Sequence, residues 1–275
     1  MLLASRPGLA AYMLLPNNWS WKLLSTSERA RVLAGNVDHN TTRADYADPT
    51  KYQDGVNFDT VADRHASPRG KILAEFLDRN RPARVLEVGP GAGFYTRLIV
   101  EHPAVREYVG VDVNRAFLDY LRPRLAAIAG LNVTLIAGRL DSVAVEADAA
   151  VLMSAVHHIP DRVQLFQQLH QLLRPQGAVL AIDPTHYILR LRKLLRKCRT
   201  RGYLAAKLRE QSVATHNMCR LGEYRAVARR TGFEITRAIY QDQPRRIQRL
   251  RSRGVPLGLW WRWWSQEMAI ECHRA

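Results

Sequence analysis

The middle of the chain alternates between short apolar runs and amphipathic segments. Between residues 84 and 183, five apolar runs of five or six residues are separated by stretches in which apolar residues recur at helical spacing. Short apolar runs flanked by amphipathic helices are typical of parallel strands that are buried on both faces. The pattern therefore predicts an α/β fold with a mostly parallel sheet between helices. The strands are expected at 84–89, 107–112, 133–137, 148–153 and 178–183.

Further elements are predicted on both sides of this region. Ser25, three residues before Glu28, is placed to cap a helix in an N-terminal helical extension over residues 1–80. The rest, 81–275, is expected to form one α/β domain with a basic insertion at about 186–220. Helices are expected at 94–101, 115–129, 161–173 and 221–231, and two more strands at 233–240 and 266–273.

The composition limits the class of protein. The chain has 275 residues, of which 47% are hydrophobic and 24% charged, as in soluble globular proteins. No apolar run approaches the roughly 20 residues that span a bilayer. Arg6 and Pro7 interrupt the apolar start, so we expect no signal peptide. The three cysteines are widely spaced and form no metal or disulfide pattern, which favours the cytoplasm and predicts no metal site.

The positive charge is concentrated in the C-terminal third of the chain. The formal net charge is +16, and the last 91 residues carry 21 Lys or Arg against 6 Asp or Glu. The segment 187–209 holds nine of these basic residues, no acidic residue and an apolar stripe. Such a segment can cover a pocket for an anionic small molecule, bind RNA or an acidic carrier protein, or lie on a membrane surface. It can equally be a solvated basic face without a partner.

A glycine-rich turn follows the first predicted strand, in the sequence VLEVGPGAGFY at 85–95. A dinucleotide-binding fold requires GxGxxG, but the sixth position here is Phe94, because the third glycine, Gly93, comes one residue early. A phosphate-binding loop of the GxxxxGK[ST] type is also absent. An acid at Glu87 would repel a pyrophosphate but suits a cofactor with an ammonium group. The turn therefore favours a nucleotide-like cofactor other than a dinucleotide.

The motif ExGxGxG at 87–93 resembles the first motif of the class I S-adenosylmethionine-dependent methyltransferases. The next motifs follow in the same order: Asp112 ends the second strand, GRLD at 138–141 follows the third, and LMSAVHHIPD at 152–161 resembles the fourth-strand motif of the small-molecule branch. The resemblance covers roughly residues 70–183. It implies a Rossmann-like, seven-stranded, mostly parallel sheet sandwiched by helices, with an N-terminal helical lid. It also implies S-adenosyl-L-methionine as the cofactor and S-adenosyl-L-homocysteine as the product.

The resemblance also assigns the cofactor contacts. The glycine turn would hold the methionine end, Asp112 the ribose hydroxyls and Asp141 the exocyclic amine of the adenine. Taken alone, Asp112 is equally consistent with a helix N-cap and Asp141 with a loop residue that caps local amides. The aromatics around Tyr52 either close over the cofactor or anchor the extension on the sheet. The implied contacts are Glu87, Gly89, Pro90, Gly91, Gly93, Asp112, Val113, Arg139, Leu140, Asp141, Ser154, Ala155, His158 and Tyr52.

Candidates for a general base follow the fourth and fifth strands, where open α/β sheets place their ligands. A base is needed only if the acceptor loses a proton. His157 and His158 are adjacent and point in different directions, so only one of them is expected to face the acceptor. Asp183, before Pro184, is also typical of a turn. The candidate catalytic residues are His157, Asp183 and His186.

Together, these patterns favour methyl transfer to a small-molecule acceptor. The expected acceptor is anionic or diphosphate-bearing and belongs to natural-product or isoprenoid-like metabolism. RNA methylation is the second hypothesis, although SAVH at 154–157 lacks the Asn/Asp-Pro-Pro-Tyr/Phe motif of adenine or cytosine amino-methylation. A regulatory protein that binds the cofactor without catalysis is the third. The tryptophans of LWWRWW at 259–264 are interpreted as packing rather than base-stacking residues, and the sequence is compatible with a homo-oligomer.

Overall fold

The computed structural model describes residues 21–42, 47–51, 55–60, 66–185, 220–241 and 267–275. Some of the sequence-based expectations fall on other parts of the chain and therefore lie outside the described residues. They concern His186, Tyr52, the basic segment 187–209 and the tryptophans at 259–264.

Seven strands form one sheet in the described part of the chain. They are β1 (Arg84–Val88), β2 (Glu107–Asp112), β3 (Asn132–Ala137), β4 (Ala147–Met153), β5 (Leu173–Pro184), β6 (Phe233–Gln241) and β7 (Glu267–Arg274). The order across the sheet is β3-β2-β1-β4-β5-β7-β6. β1 to β5 run parallel, and β7 lies antiparallel between β5 and β6. This confirms the predicted α/β fold and all seven predicted strands; β5 starts five residues earlier than predicted.

Helices cover both faces of the sheet. They are α1 (Thr26–Thr42), α2 (Pro68–Asn80), α3 (Thr96–Val100), α4 (Arg115–Ala126), α5 (Arg162–Leu172) and α6 (Leu221–Thr231). Adjacent residues of one strand belong to two different apolar clusters: Val85 packs with Phe76 of α2, whereas Leu86 packs with Phe166 of α5. The inner strands are therefore buried on both faces, which explains why they read as continuous apolar runs, whereas the edge strands β3 and β6 are half exposed. None of the helices within the described ranges has the length and apolar character needed to cross a membrane.

Two helices are three residues shorter than predicted. The helix expected at 94–101 is confirmed only as α3, because the glycine turn continues through Tyr95. The helix expected at 115–129 ends at Ala126. Both differences are at helix ends, where local sequence patterns are least informative.

The N-terminal extension begins its described part with a capped helix. The Glu28 N–H donates to Ser25 Oγ at 3.3 Å, and the Ser25 N–H donates to Glu28 Oε2 at 2.9 Å, which confirms the predicted capping box of α1. Trp21 is buried, and its indole N–H donates to the carboxylate of Asp161 at 3.2 Å. Since Asp161 is the N-cap of α5, this bond attaches the extension to the α/β domain.

Candidate functional site

A cavity of about 620 Å³ opens at the carboxyl edge of the parallel strands. The residues that follow β1, β2, β3 and β4 line it, together with Pro184 at the end of β5. The chain reverses direction across the sheet here, since β2 and β3 lie on one side of β1, and β4 and β5 lie on the other. Open α/β sheets bind ligands at such a crossover point. The cavity is therefore the candidate site for both a cofactor and an acceptor.

The glycine turn after β1 forms one wall of the cavity. Gly89, Gly91 and Gly93 have φ angles of 72°, 54° and 79°, in the left-handed region that favours glycine. A Cβ atom at Gly93 would lie 2.3 Å from Leu121 Cδ2, and one at Gly89 would lie 3.2 Å from Ala155 Cβ. Glycine is therefore required for the backbone conformation and for these close contacts. The result is a wall made of main-chain atoms, which a ligand can approach closely.

Asp112 ends β2 and lines the cavity. Its Oδ2 accepts a hydrogen bond from the Gly91 N–H at 3.1 Å, and its Oδ1 accepts one from the Asn114 N–H at 2.8 Å. Burial raises the pKa of Asp112 to about 6, although these N–H donors act in the opposite direction. Asn114, not Asp112, is the N-cap of α4. Each oxygen of the Asp112 carboxylate can accept a further hydrogen bond, so this side chain can bind hydroxyl groups.

Glu87 lines the cavity from a buried position, with 1% of its surface exposed. Its Oε2 accepts hydrogen bonds from the Tyr108 hydroxyl and the Thr96 hydroxyl, both at 2.7 Å. Burial raises the pKa of Glu87 to about 7 despite these two donors, and the nearby Asp112 carboxylate adds to the increase. Glu87 therefore connects β1 to β2 and α3 in addition to lining the cavity.

On the β3 side, the structure separates residues that the sequence motif groups together. Arg139 and Leu140 line the cavity, whereas Asp141 is exposed and is not a lining residue. The Asp141 carboxylate instead lies 3.7 Å from Arg139 Nε. Its position therefore does not support the expected contact with an adenine. Sequence reasoning missed Gln168 of α5, which does line the cavity, because a polar residue on an amphipathic helix usually faces solvent.

Both histidines after β4 line the cavity, and the expectation that only one of them faces the acceptor stays a prediction. The 3-10 turn Val156–His158 brings their rings together, with 4.0 Å between the ring centroids. In such a turn, adjacent side chains can reach the same wall, which an extended strand would prevent. Ser154 and Ala155 precede the turn and also line the cavity; Ser154 has a φ angle of 59°.

Asp183 is buried behind His157 rather than exposed in the cavity. Its Oδ1 lies 2.7 Å from Nδ1 of the His157 ring and accepts the His157 backbone N–H at 3.0 Å. Its Oδ2 accepts a hydrogen bond from the Tyr224 hydroxyl at 3.4 Å. Only 1% of Asp183 is exposed, and it is not a lining residue. The burial of Asp183 does not favour its direct action on an acceptor, whereas the His157 ring, which it contacts, lines the cavity.

The N-terminal extension contributes Leu33 of α1 and Val56 to the cavity wall. Close to Val56, Phe58 is buried and its N–H donates to a carbonyl of the glycine turn at 2.8 Å. The Asp59 carboxylate accepts a hydrogen bond from Arg124 Nε of α4 at 2.8 Å. Phe58 and Asp59 therefore attach the segment 55–60 to the domain. For Phe58, the structure favours the anchoring role over direct contact with a ligand.

Known proteins share both the motifs and the architecture. Residues 85–177 match the model of a family described as a methyltransferase domain. A highly reducing polyketide synthase from Emericella nidulans is 24% identical over 144 residues, which make up 45% of this chain and 5% of that protein. The chain thus matches only a small part of the length of this curated relative.

Solved structures share the fold at low sequence identity. The cyclopropane synthase MmaA2 from Mycobacterium tuberculosis has a TM-score of 0.56 at 13% identity, over 88% of this chain and 97% of that one. Magnesium protoporphyrin IX methyltransferase from Synechocystis PCC 6803, with bound S-adenosylhomocysteine, has a TM-score of 0.53 at 13% identity, over 74% and 81%. The third is geranyl diphosphate C-methyltransferase from Streptomyces coelicolor A3(2), in complex with Mg²⁺, geranyl diphosphate and S-adenosylhomocysteine. It has a TM-score of 0.50 at 14% identity, over 74% of this chain and 79% of that one.

The fold and the family match define a class I methyltransferase fold with a ligand cavity at its crossover point. Residues 85–177 thus match a methyltransferase domain, and the described residues share the fold of solved methyltransferases. The cofactor expected from these matches is S-adenosylmethionine. The site fits this cofactor. The cavity volume of about 620 Å³ lies within the roughly 300–1,000 Å³ that is usual for small-ligand sites. Asp112 retains hydrogen-bond acceptor capacity for hydroxyl groups, and the glycine turn allows close approach of a ligand.

Proposed function

We propose that this protein catalyses methyl transfer from S-adenosylmethionine to a small-molecule acceptor. One observation carries the proposal: a single cavity is lined by the glycine turn, by Asp112 and by the imidazole of His157, which Asp183 holds from behind. The first two suit the cofactor, and the third suits an acceptor that loses a proton. Their presence in one cavity is what a transfer reaction between two bound molecules requires.

Within this proposal, the strands at one side of the crossover hold the cofactor. Asp112 accepts hydrogen bonds from the ribose hydroxyls, and these donors stabilise its charged form, which burial disfavours. The glycine turn receives the methionine end. Arg139, Leu140 and Gln168 surround the adenine, in place of the carboxylate expected from Asp141. Ser154, Ala155 and the His158 ring would line the part of the cavity where the cofactor adjoins the acceptor.

His157 is proposed as the general base, with Asp183 as a positioning residue. Bound S-adenosylmethionine supplies an electrophilic methyl group. A His157 tautomer with its proton on Nδ1 donates to Asp183 Oδ1 across 2.7 Å, which leaves Nε2 as the proton acceptor. The buried Asp183 carboxylate then stabilises the imidazolium that forms when the acceptor proton is taken up. A general base of this kind contributes about 10²- to 10⁴-fold to a rate.

The acceptor class is proposed from the cavity and from the charge of the chain. A cavity of about 620 Å³ that also holds the cofactor suits a small acceptor. The matched relatives include a polyketide synthase and a geranyl diphosphate C-methyltransferase, which favours natural-product or isoprenoid-like chemistry. The excess of Lys and Arg in the last 91 residues favours an anionic or diphosphate-bearing acceptor. The same charge keeps RNA as the second candidate. We also propose that residues 1–80 act as a lid, because Leu33 and Val56 reach the cavity.

A transfer assay with methyl-labelled S-adenosylmethionine tests the proposal against a small-molecule extract and against total RNA. We expect label in small molecules, and a His157→Ala variant that transfers at least 100-fold more slowly while it retains its affinity for S-adenosylhomocysteine. His102→Ala is the matched control, since His102 lies 3.2 Å from Asp78 in another His–Asp pair that does not line the cavity. Label in RNA alone would replace the small-molecule proposal. Cofactor binding without any transfer would identify a regulatory protein instead.

A further inference from the structure

Arg69 places a cation in the wall of the cavity. It is the second residue of α2, and its side chain, 24% exposed, is one of the lining groups. The sequence motifs of the domain do not include this position, since they begin at the glycine turn. Among the described lining residues, the other arginine is Arg139 on the β3 side, whose Nε lies 3.7 Å from Asp141. Arg69 is therefore the arginine that lines the opposite side of the cavity, next to β4.

Three hydrogen bonds to two partners hold the Arg69 guanidinium in one orientation. Its Nε donates to Glu267 Oε2 at 2.9 Å, and its Nη2 donates to the other oxygen of the same carboxylate. Its Nη1 donates to the Ser154 hydroxyl at 2.8 Å. Glu267 is held in turn by Gln241, whose Nε2 donates to Oε2 at 3.1 Å. Because the guanidinium is already ordered, a ligand that binds to it costs little additional side-chain entropy.

The hydrogen bonds of Arg69 leave part of its donor capacity for a ligand. A guanidinium has five N–H donors, and the described residues accept three of them. One N–H on each terminal nitrogen remains. Two such donors on one planar group match the two oxygens of a carboxylate. This geometry distinguishes Arg69 from a lysine, which would present a point charge without a preferred plane.

A second arginine of α2 forms a comparable ion pair away from the cavity. Arg79 Nη2 lies 2.5 Å from Glu271 Oε1, so α2 has a second ion pair with β7. Arg79 is not a lining residue, and its partner is buried in the sheet. The two pairs join the same two elements, but of the two only the Arg69–Glu267 pair reaches the cavity. Arg79 therefore provides a matched control for Arg69.

We propose that Arg69, oriented by Glu267 and Ser154, binds a carboxylate group inside the cavity. This inference rests on the proposed function, because two bound molecules can supply the group: the methionine tail of the cofactor or the acceptor itself. The position of Arg69 is consistent with both. Ser154, its partner, follows β4 and is three residues before the proposed base. Glu267, its other partner, pairs with Pro184 at the end of β5.

Calorimetry with two related ligands tests whether the cofactor supplies the carboxylate that Arg69 binds. S-adenosylhomocysteine carries the carboxylate, and 5′-methylthioadenosine has the same nucleoside and thioether but no amino-acid tail. If Arg69 binds the tail, Arg69→Gln weakens the affinity for S-adenosylhomocysteine about 10- to 100-fold. The affinity for 5′-methylthioadenosine then changes less than about twofold. Arg79→Gln, the matched loss of an ion pair between α2 and β7, should change neither affinity. Arg69→Lys, which retains the charge, should lose part of the same preference even if Arg69→Gln does not fold.

A second experiment tests whether the acceptor supplies the carboxylate. The protein is saturated with S-adenosylhomocysteine and titrated with benzoate or with benzyl alcohol, its uncharged counterpart, while the thermal unfolding midpoint is followed. An acceptor subsite predicts a rise with benzoate alone, and loss of that rise in Arg69→Gln but not in Arg79→Gln. The inference is overturned if Arg69→Gln changes neither the S-adenosylhomocysteine preference nor the benzoate response. A wild-type protein that binds neither nucleoside contradicts the proposed function instead, and titration of the unliganded protein with benzoate then still tests Arg69.

Discussion

The Nδ1 atom of His157 lies 2.7 Å from Oδ1 of Asp183, and the same oxygen accepts the backbone N–H of His157 at 3.0 Å. One carboxylate oxygen thus holds both the ring and the main chain of the histidine. The bond connects the turn after β4 to the end of β5 at the carboxyl edge of the sheet. A buried carboxylate in this position determines which ring nitrogen carries the proton and which nitrogen points to a ligand.

An Asp183→Asn substitution should therefore lower the rate of methyl transfer without displacing the cofactor. An amide cannot stabilise an imidazolium and does not select one tautomer, so we expect kcat to fall about 100-fold or more. Affinity for S-adenosylhomocysteine should stay within about twofold. Single-turnover kinetics and calorimetry would measure the two effects. Asp78→Asn, which removes the carboxylate near His102, is the control. A wild-type rate in Asp183→Asn would contradict the positioning role of Asp183.

Tyr224 should act on the rate through Asp183. Its hydroxyl donates to Asp183 Oδ2 at 3.4 Å, on the opposite side of the carboxylate from His157. Without this donor, the carboxylate loses one of the hydrogen bonds that orient it. Tyr224→Phe should therefore lower kcat by less than about tenfold, and should lower it no further in an Asp183→Asn background. A role independent of Asp183 would lower kcat by the same factor in both backgrounds.

Binding of the nucleoside should depend on pH through Asp112. Its pKa in the protein is about 6, and the ionised carboxylate is the better acceptor for ribose hydroxyls. Affinity for 5′-methylthioadenosine should therefore fall roughly tenfold between pH 7 and pH 5, as Asp112 becomes protonated. Asp112→Asn should bind more weakly at pH 7 and show a flat profile, measurable by calorimetry. An unchanged slope in Asp112→Asn would assign the titration to another group.

Glu87 should make the folded protein less stable as the pH rises. Its pKa is raised from 4.5 to about 7, so between these values the folded state binds more protons than the unfolded state. The corresponding stability is fully present below about pH 4.5 and is lost as the pH passes through 7, on the order of 3 kcal/mol in all. Compared with the wild type, Glu87→Gln should gain relative stability between pH 5 and pH 8 in urea unfolding. Parallel pH dependence of the two proteins would contradict this.

Gly93 should be intolerant of alanine for two separable reasons. Its φ is 79°, and an added Cβ would lie 2.3 Å from Leu121 Cδ2. We expect Gly93→Ala to lower the free energy of unfolding by about 2–4 kcal/mol, combining backbone strain with overpacking. Gly130 is the matched control, because its φ is 74° but no atom lies within 4 Å of the added Cβ. Gly130→Ala should cost only about 1 kcal/mol. Equal costs would show that the contact with Leu121 relaxes.

Local sequence patterns were sufficient for the elements of the fold and for part of the site. The inner strands were predicted because burial on both faces leaves a continuous apolar run, and the capping box of α1 was predicted from Ser25 and Glu28 alone. Gly93 and Asp112 were recognised because a tight turn and a carboxylate at a strand end leave a signal within a few residues. These features depend on neighbours in the sequence, so the sequence by itself determined them.

The tertiary structure alone decided which side chains share the cavity. Arg69 and Glu267 are 198 residues apart in the sequence, and they meet only because β7 inserts next to β5. Asp183 and His157 are 26 residues apart. Because β5 is buried, Asp183 supports the His157 ring, and His157 lines the cavity. Asp141 belongs to a matching motif yet lies outside the cavity wall. Contacts of this kind depend on how strands and helices pack, which no local pattern of apolar and polar residues encodes.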